Sequence, residues 1–169
     1  MSNPKSNARK AAVQAIYQWQ ITGQNLNLIE QYFADEQFFL NGEKLDKSYF
    51  SEIFHGVPQD LIAIDALLSQ FVDRPVDAVD PVERAILRLG TYELIHCPET
   101  PYKVIINESI NLAKFFGADG SHRYVNGILD KVAQTQRAEE ISNKRKPEVK
   151  TEIKVEIEPE TEADTHAES

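Results

Sequence analysis

Residues 80–97 of the chain, DPVERAILRLGTYELIHC, predict a helix that is apolar around most of its circumference. Its start is well marked, since Asp80 can cap the helix, Pro81 suits the first helical position, and Glu83 can reach back as in a capping box. Apolar side chains then follow too closely for all of them to face one neighbouring helix: Ala85, Ile86, Leu87, Leu89, Leu94 and Ile95. Such a helix belongs in the centre of a helical domain.

Shorter amphipathic helices are predicted on both sides of this central one. No segment before residue 148 shows a convincing strand pattern, and the helical segments are joined by short turns. The predicted fold class is therefore all-α, with about seven short helices. Six segments besides the central one have helical spacing or helix punctuation: residues 7–22, 26–35, 48–55, 59–72, 101–116 and 121–132.

Residue types at the ends of these segments predict individual helix boundaries. Asn7 and Ser121 are suitable N-caps for the first and last helices. Thr100, which precedes a proline, is expected to start a helix in the same way as Asp80. Gly56 is expected to end the helix that begins at residue 48.

The composition changes after about residue 136. Residues 138–169 contain five basic and ten acidic residues and no aromatic residue. The folded domain is therefore expected to span residues 1–137, and the remainder is expected to be a disordered acidic tail. An alternative is a strand over residues 149–157, where apolar and charged residues alternate. A lone strand is not stable without a partner, so disorder is favoured.

The net charge of −9 is unevenly distributed. Residues 1–20 carry +3 and residues 103–137 carry +2, whereas residues 21–102 carry −9. If the two basic segments meet in space, they form one positive face on an acidic protein. Binding of phosphate groups depends on that local field more than on the net charge.

Compartment and chemistry follow mainly from what the sequence lacks. The single cysteine, Cys97, excludes an internal disulfide and favours a reducing, cytoplasmic location. No signal sequence or membrane span is apparent. The four histidines have no metal-ligand spacing, and there is no GxSxG, P-loop or GxGxxG motif. We therefore expect a binding protein without metal or cofactor, and not an enzyme.

Cations and aromatic residues concentrate near the two ends of the predicted domain. Lys114, Phe115 and Phe116 end one predicted helix, and on a helix the two adjacent rings point about 100° apart. One ring can enter the core while the other stays near the surface, where it would offer a stacking platform for unpaired bases. The residues alone equally allow both rings to be core, and they allow Lys5, Arg9 and Lys10 to be a solvated terminus.

Three segments together resemble the bacterial NusB transcription antitermination factors. They are ARKAAVQAIYQWQ, VERAILRLGTYEL and PYKVIINESINLAKFFGADGSHRYVNGILDKV, and their order and spacing match the family over about residues 5–135. The resemblance implies an all-helical fold of two small bundles set against each other. It also implies binding of boxA RNA jointly with the ribosomal protein NusE, in a larger complex with NusA, NusG and RNA polymerase that suppresses termination in ribosomal RNA operons.

The resemblance also assigns candidate site residues. Ribosomal-protein contacts fall on Tyr17 and Glu83. Two departures are apparent, since the N-terminal arm has fewer arginines than is usual and Gly120 stands where many relatives carry an acid. Together with Lys114, a cation of the last two predicted helices, the predicted RNA-binding residues are Lys5, Arg9, Lys10, Lys114, Phe116, Gly120, His122, Arg123 and Tyr124.

Two other functions are weighed against this one. NusB-like helical domains also occur fused to RNA cytosine methyltransferases, but that interpretation requires a Rossmann-type catalytic domain, which this sequence lacks. A helical scaffold that docks proteins through its acidic middle segment is the other alternative. Measuring RNA binding with and without the ribosomal protein separates the scaffold from the antitermination factor.

Overall fold

The computed structural model of the protein describes residues 3–33 and 43–145, and these residues form α-helices joined by short turns. No strand occurs among them, so the predicted all-α fold is confirmed. A 3₁₀ turn at Val76–Ala78 precedes the central helix. The α-helices are α1 Pro4–Thr22, α2 Leu26–Phe33, α3 Lys47–Gln59, α4 Leu61–Ser69, α5 Pro81–His96, α6 Tyr102–Phe116, α7 Ser121–Gln136 and α8 Ala138–Arg145.

Helix α5 lies at the centre of the domain, as its apolar sequence predicts. It packs against α1, α3, α4, α6 and α7. Every residue from 85 to 94 is buried. On one side α1 packs with α2 and α3, and on the other α6 packs with α7. The two groups meet mainly through α1 and α5, which therefore fix how the surfaces of α1 and α6 lie beside each other.

The first helix begins earlier than predicted. Asn3 caps it by accepting hydrogen bonds from the backbone N–H groups of Lys5 and Ser6, and Pro4 occupies the first helical position. This arrangement satisfies the free N–H groups of the first turn. Asn7, the predicted cap, is instead buried, and its side-chain amide donates to the carbonyl oxygen of Lys44 at 2.9 Å.

Gly56 lies inside α3 and does not end it. The backbone at Gly56 packs directly against the ring of Tyr92 on α5, and a Cβ atom at this position would overlap the ring carbons. The residue therefore allows close approach of two helices. From the sequence, a glycine with this role cannot be distinguished from a glycine that ends a helix. The predicted boundary at Gly56 was wrong for this reason.

The domain also extends past its predicted end. Arg137 is buried and donates hydrogen bonds to the carbonyl oxygens of Leu94 at 2.9 Å, Cys97 at 2.8 Å and Thr100 at 2.9 Å. Its Nη1 also bonds Glu140 of α8 at 2.7 Å. Residues 138–145 are therefore helical, and the predicted tail was wrong for them. The rest of the predicted disordered tail, residues 146–169, lies outside the described residues, and so does the alternative strand over residues 149–157.

Cys97 follows α5 and is fully buried. Burial, followed by the negative charge of Glu93, raises the pKa of the Cys97 thiol to about 11. We expect the native protein to react with a thiol reagent at pH 7.5 far more slowly than the unfolded protein, because the thiol is both inaccessible and protonated. Alkylation rates in buffer and in urea test this, and equal rates would contradict it.

None of the helices described here is both long and apolar enough to cross a lipid bilayer.

Candidate nucleic-acid interface

Arg9 lies inside the domain and does not belong to an exposed arm. Because α1 begins at Pro4, position 9 faces α5, and Arg9 is only 3% exposed. Its Nε and Nη2 atoms each donate to the Glu93 carboxylate at 2.9 Å. Tyr49 donates its hydroxyl to the same carboxylate at 2.5 Å. The predicted role of Arg9 in binding phosphate was therefore wrong for this geometry, since its guanidinium is already bonded inside the protein.

This buried cluster joins three helices, α1, α3 and α5. Burial opposes the charge on Arg9, but the hydrogen bond to Glu93 and the charge of that carboxylate outweigh it and raise the Arg9 pKa above its ordinary value. At Tyr49, in contrast, burial itself raises the pKa of the hydroxyl, and the negative charge of Glu93 raises it further. The arginine therefore stays charged and the tyrosine stays protonated, so the cluster holds α1 in place.

The two basic segments of the sequence do meet in space. Lys10 of α1 places its Nζ atom 4.9 Å from the ring centroid of Phe115, near the end of α6. Lys114 is exposed on the same turn of α6. Lys5 is exposed at the start of α1, with its Nζ atom 5.0 Å from the ring centroid of Tyr49. The positive face expected from the charge distribution is thus formed by the lysines of α1 and the end of α6.

The two adjacent phenylalanines point in different directions. Phe115 is 68% exposed, whereas Phe116 packs partly buried against the core. Their ring centroids are 4.8 Å apart, with the planes at 79°. Of the two arrangements that the sequence left open, the structure has one outward and one inward ring. The ring predicted to contact RNA, Phe116, is the inward one.

The start of α7 carries the remaining predicted RNA-binding residues. Gly120 has a φ of 84°, in the left-handed region that glycine adopts without strain, and it precedes the first helical residue. Arg123 is exposed, and His122 and Tyr124 are half-buried. The Tyr124 hydroxyl donates to Asp73 at 3.4 Å, and burial together with this carboxylate raises the Tyr124 pKa. Arg123 is therefore an accessible cation beside two partly accessible rings.

An open, mostly apolar groove of about 410 Å³ lies between α1, α2 and the neighbouring ends of α5 and α6. Tyr17, which is 40% exposed, lines it together with Val82 and the inward ring of Phe116. Ile21 adds further exposed apolar surface at its edge. The structure thus places Tyr17 in this groove and Glu83 directly after one of its lining residues.

Glu83 links α5 to α7. Its Oε1 atom accepts a hydrogen bond of 2.8 Å from the hydroxyl of Ser121. Asp80 caps α5, as predicted, by accepting from the N–H groups of Val82 and Glu83. The capping-box role predicted for Glu83 and the capping role predicted for Ser121 were both wrong, because these two side chains bond each other. Thr100 likewise provides no side-chain cap, since Pro101 is the N-cap of α6.

This link predicts a difference between two substitutions of Glu83. Glu83→Gln keeps an oxygen that can accept from Ser121, so we expect the free energy of unfolding to change by less than about 0.5 kcal/mol. Glu83→Ala removes the acceptor and is expected to destabilise the domain by about 1 kcal/mol. Urea unfolding of both variants checks this. Equal stability of the two variants would contradict the role of the hydrogen bond.

Residues 3–33 and 43–145 contain no group of three or more His, Cys, Asp or Glu side chains that could hold a metal ion. Two histidines pair with single carboxylates: His55 lies 2.6 Å from Glu30, and His96 lies 2.6 Å from Asp60. These pairs connect neighbouring helices. The features of the described surface that suit binding are its cations, its aromatic rings and the apolar groove.

Comparison with known proteins identifies relatives over most of the chain. The transcription antitermination protein NusB of Nitrosococcus oceani is 51% identical over 144 residues, which cover 85% of this chain and 95% of that protein. NusB of Legionella pneumophila strain Corby is 44% identical over 138 residues, which cover 82% of this chain and 92% of that protein.

Solved structures share the fold. NusB of T. maritima matches with a TM-score of 0.68 at 31% identity, covering 79% of this chain and 93% of that chain. A chain from a complex of the antitermination factors NusB and NusE with double-stranded RNA has a TM-score of 0.70 at 21% identity, covering 80% of this chain and 99% of that chain. The family model described as the NusB family matches residues 6–134. With that match and those identities, the chain belongs to the NusB family.

Proposed function

We propose that this protein is a transcription antitermination factor that binds boxA RNA jointly with the ribosomal protein NusE. The observation that carries the proposal is the position of the apolar groove directly beside the cationic and aromatic surface of α1, α6 and α7. One surface suits a protein partner and the other suits RNA. The relatives named above are antitermination proteins and not enzymes.

The RNA-binding part of this proposal uses the exposed cations. Lys5, Lys10, Lys114 and Arg123 are placed to contact phosphates, because each carries its charge at the surface or at its edge. Bases would contact the start of α7, where His122 and Tyr124 are partly accessible beside the backbone of Gly120. Arg9 is left out of this surface because it is buried.

The partner-binding part uses the groove. A mostly apolar groove with an accessible tyrosine at its edge is typical of the centre of a protein interface. NusE bound there would lie against Tyr17 and Val82, with Glu83 at the rim. Phe116 lines the groove from α6, so it would contact the partner as well as support the RNA surface. Two proteins held together at this groove that both contact one RNA bind it more tightly than either protein alone.

The wider setting is also part of the proposal. The protein would act in the cytoplasm, with NusA, NusG and RNA polymerase, during transcription of ribosomal RNA operons. The net charge of −9 makes weak binding of RNA by the protein alone a reasonable expectation, because distant acidic surface opposes the local positive face. The partner is therefore required for tight binding.

Transcription through a terminator tests the function. The template carries either boxA or a scrambled boxA upstream of the terminator, and RNA polymerase is supplied with NusA, NusG and NusE. Addition of the protein is expected to increase read-through on the boxA template only. Tyr17→Ala should lose this effect, and Ile62→Ala, which removes another exposed apolar side chain on α4, should keep it. Equal read-through with and without the protein would refute the proposed function.

A further inference from the structure

A second cleft lies along α1, next to the groove but with different chemistry. It has a volume of about 260 Å³ and runs between α1 and α6. Its walls include Ser6 and Lys10 from one helix and Asn111 and Phe115 from the other. Phe115 is 68% exposed, with the ammonium group of Lys10 held 4.9 Å from its ring centroid. A large exposed ring beside a cation, in a cleft lined by both polar and apolar side chains, suits a binding role.

The one acidic side chain that lines the cleft is held by neighbours. Glu108 accepts a hydrogen bond of 2.8 Å from the Ser6 hydroxyl, and its other oxygen lies 3.9 Å from Nη1 of Arg9. Because Arg9 is paired with Glu93, Glu108 offsets one of the two positive charges of Lys10 and the neighbouring Lys114, and one positive charge remains. This local balance favours an anionic ligand, even though the whole chain is acidic.

We propose that this cleft binds one unpaired nucleotide of single-stranded RNA, with the base stacked on Phe115 and its phosphate bound by Lys10. Stacking uses the exposed ring, and the side-chain amide of Asn111 can both donate to and accept from a base edge. The inference rests on the proposed function and adds a site to it. The RNA-binding residues named from the sequence do not include Phe115, Asn111 or Ser6, although the sequence allowed the exposed one of the two phenylalanines to stack on a base.

The position of the cleft explains how it would work with the partner. Ser6, Lys10 and Tyr17 recur at spacings that place them on one face of α1. The cleft and the apolar groove are therefore consecutive along the same helix face. An RNA strand seated in the cleft would run directly toward NusE in the groove, so both proteins could contact one strand.

Substitutions of Phe115 test the stacking contact in the full chain with NusE present. The ligand is a single-stranded boxA oligonucleotide in which one base at a time is replaced by fluorescent 2-aminopurine. Phe115→Leu keeps an apolar side chain but removes the ring, so affinity should fall roughly 5- to 100-fold, and quenching at one base should be lost. Phe115→Trp should restore both. Ile62→Ala, which removes another exposed apolar side chain, on α4, should change neither.

Substitutions of lysine test the phosphate contact. Lys10→Gln should reduce the slope of log affinity against log salt by about 0.7, the value for one phosphate on a single strand. Lys103→Gln is the matched control, because Lys103 is exposed on the same helix as Phe115 but about 18 Å away along its axis. Its slope should equal that of the unchanged protein.

The outcomes separate this proposal from the function on which it rests. If the unchanged protein binds boxA RNA with NusE and Phe115→Leu binds equally well, the subsite is refuted and the function stands. If Phe115→Leu instead weakens the affinity for NusE in the absence of RNA, Phe115 is a protein contact and the subsite is again refuted. If the unchanged protein binds no RNA, the proposed function fails as well.

Discussion

Glu93→Ala is expected to lower the free energy of unfolding by about 3–5 kcal/mol, because it leaves the guanidinium of Arg9 buried without its partner. Arg9 and Glu93 have side chains only 4% and 2% exposed, and Tyr49 loses its acceptor in the same variant. Since α1 carries Lys5 and Lys10, loosening it should also weaken RNA binding. Urea unfolding monitored by circular dichroism measures the first effect.

Two controls distinguish a buried pair from charge effects in general. The double variant Arg9→Met, Glu93→Leu replaces both charges with apolar groups and is expected to recover a large part of the lost stability. Arg74→Ala breaks an ion pair whose side chains are 51% and 65% exposed, and it should leave the unfolding midpoint unchanged. Wild-type stability of Glu93→Ala would show that the cluster does not hold α1 to α5.

Arg137→Leu is expected to destabilise the domain by about 2–4 kcal/mol, because it removes a buried side chain that donates hydrogen bonds to four carbonyl oxygens. The oxygens of Leu94 and Thr100 lose the donor given by Arg137, whereas those of Glu93 and Cys97 keep a backbone N–H donor. Because Glu140 also loses its bond to Arg137 and keeps the Tyr102 N–H and the longer contact with Lys144, the attachment of α8 is weakened, and α8 should detach before the rest unfolds.

Hydrogen exchange and thermal unfolding together check the role of Arg137. Arg137→Lys keeps the positive charge but cannot reach so many acceptors at once. Its stability against thermal unfolding should therefore lie between that of Arg137→Leu and that of the unchanged protein. Lys144→Ala changes a half-exposed lysine in the same helix and should leave exchange in α5 unaltered. Unchanged protection of α8 in Arg137→Leu would contradict this account.

The sequence predicts the helices whose burial follows a regular pattern. The apolar circumference of α5 placed it at the centre, and Asp80 caps it as its residue type indicates. Boundaries failed where a tertiary contact decides them. Gly56 continues α3 because it packs on Tyr92, and residues 138–145 form a helix because Arg137 anchors them. Neither contact leaves a signal in local composition.

The candidate site was predictable to a similar degree. The charge distribution indicated that the two basic segments belong together, and Lys10 does lie against Phe115. Because cations are usually exposed, the residue type of Arg9 did not indicate a place in the core, where Glu93 neutralises it. Helical spacing required that Phe115 and Phe116 diverge, but only the packing of α6 on α1 decides which ring faces solvent.

The central claim is that this protein binds boxA RNA jointly with a ribosomal protein, and the most direct measurement is RNA affinity with and without NusE over a range of salt concentrations. We predict weak binding by the protein alone and much tighter binding with NusE. Scrambled RNA should bind weakly in both cases. If Lys5, Lys10, Lys114 and Arg123 all contact phosphates, these four cations should contribute a salt slope of roughly −3. Equal affinity for boxA and scrambled RNA, unaffected by NusE, would contradict the claim.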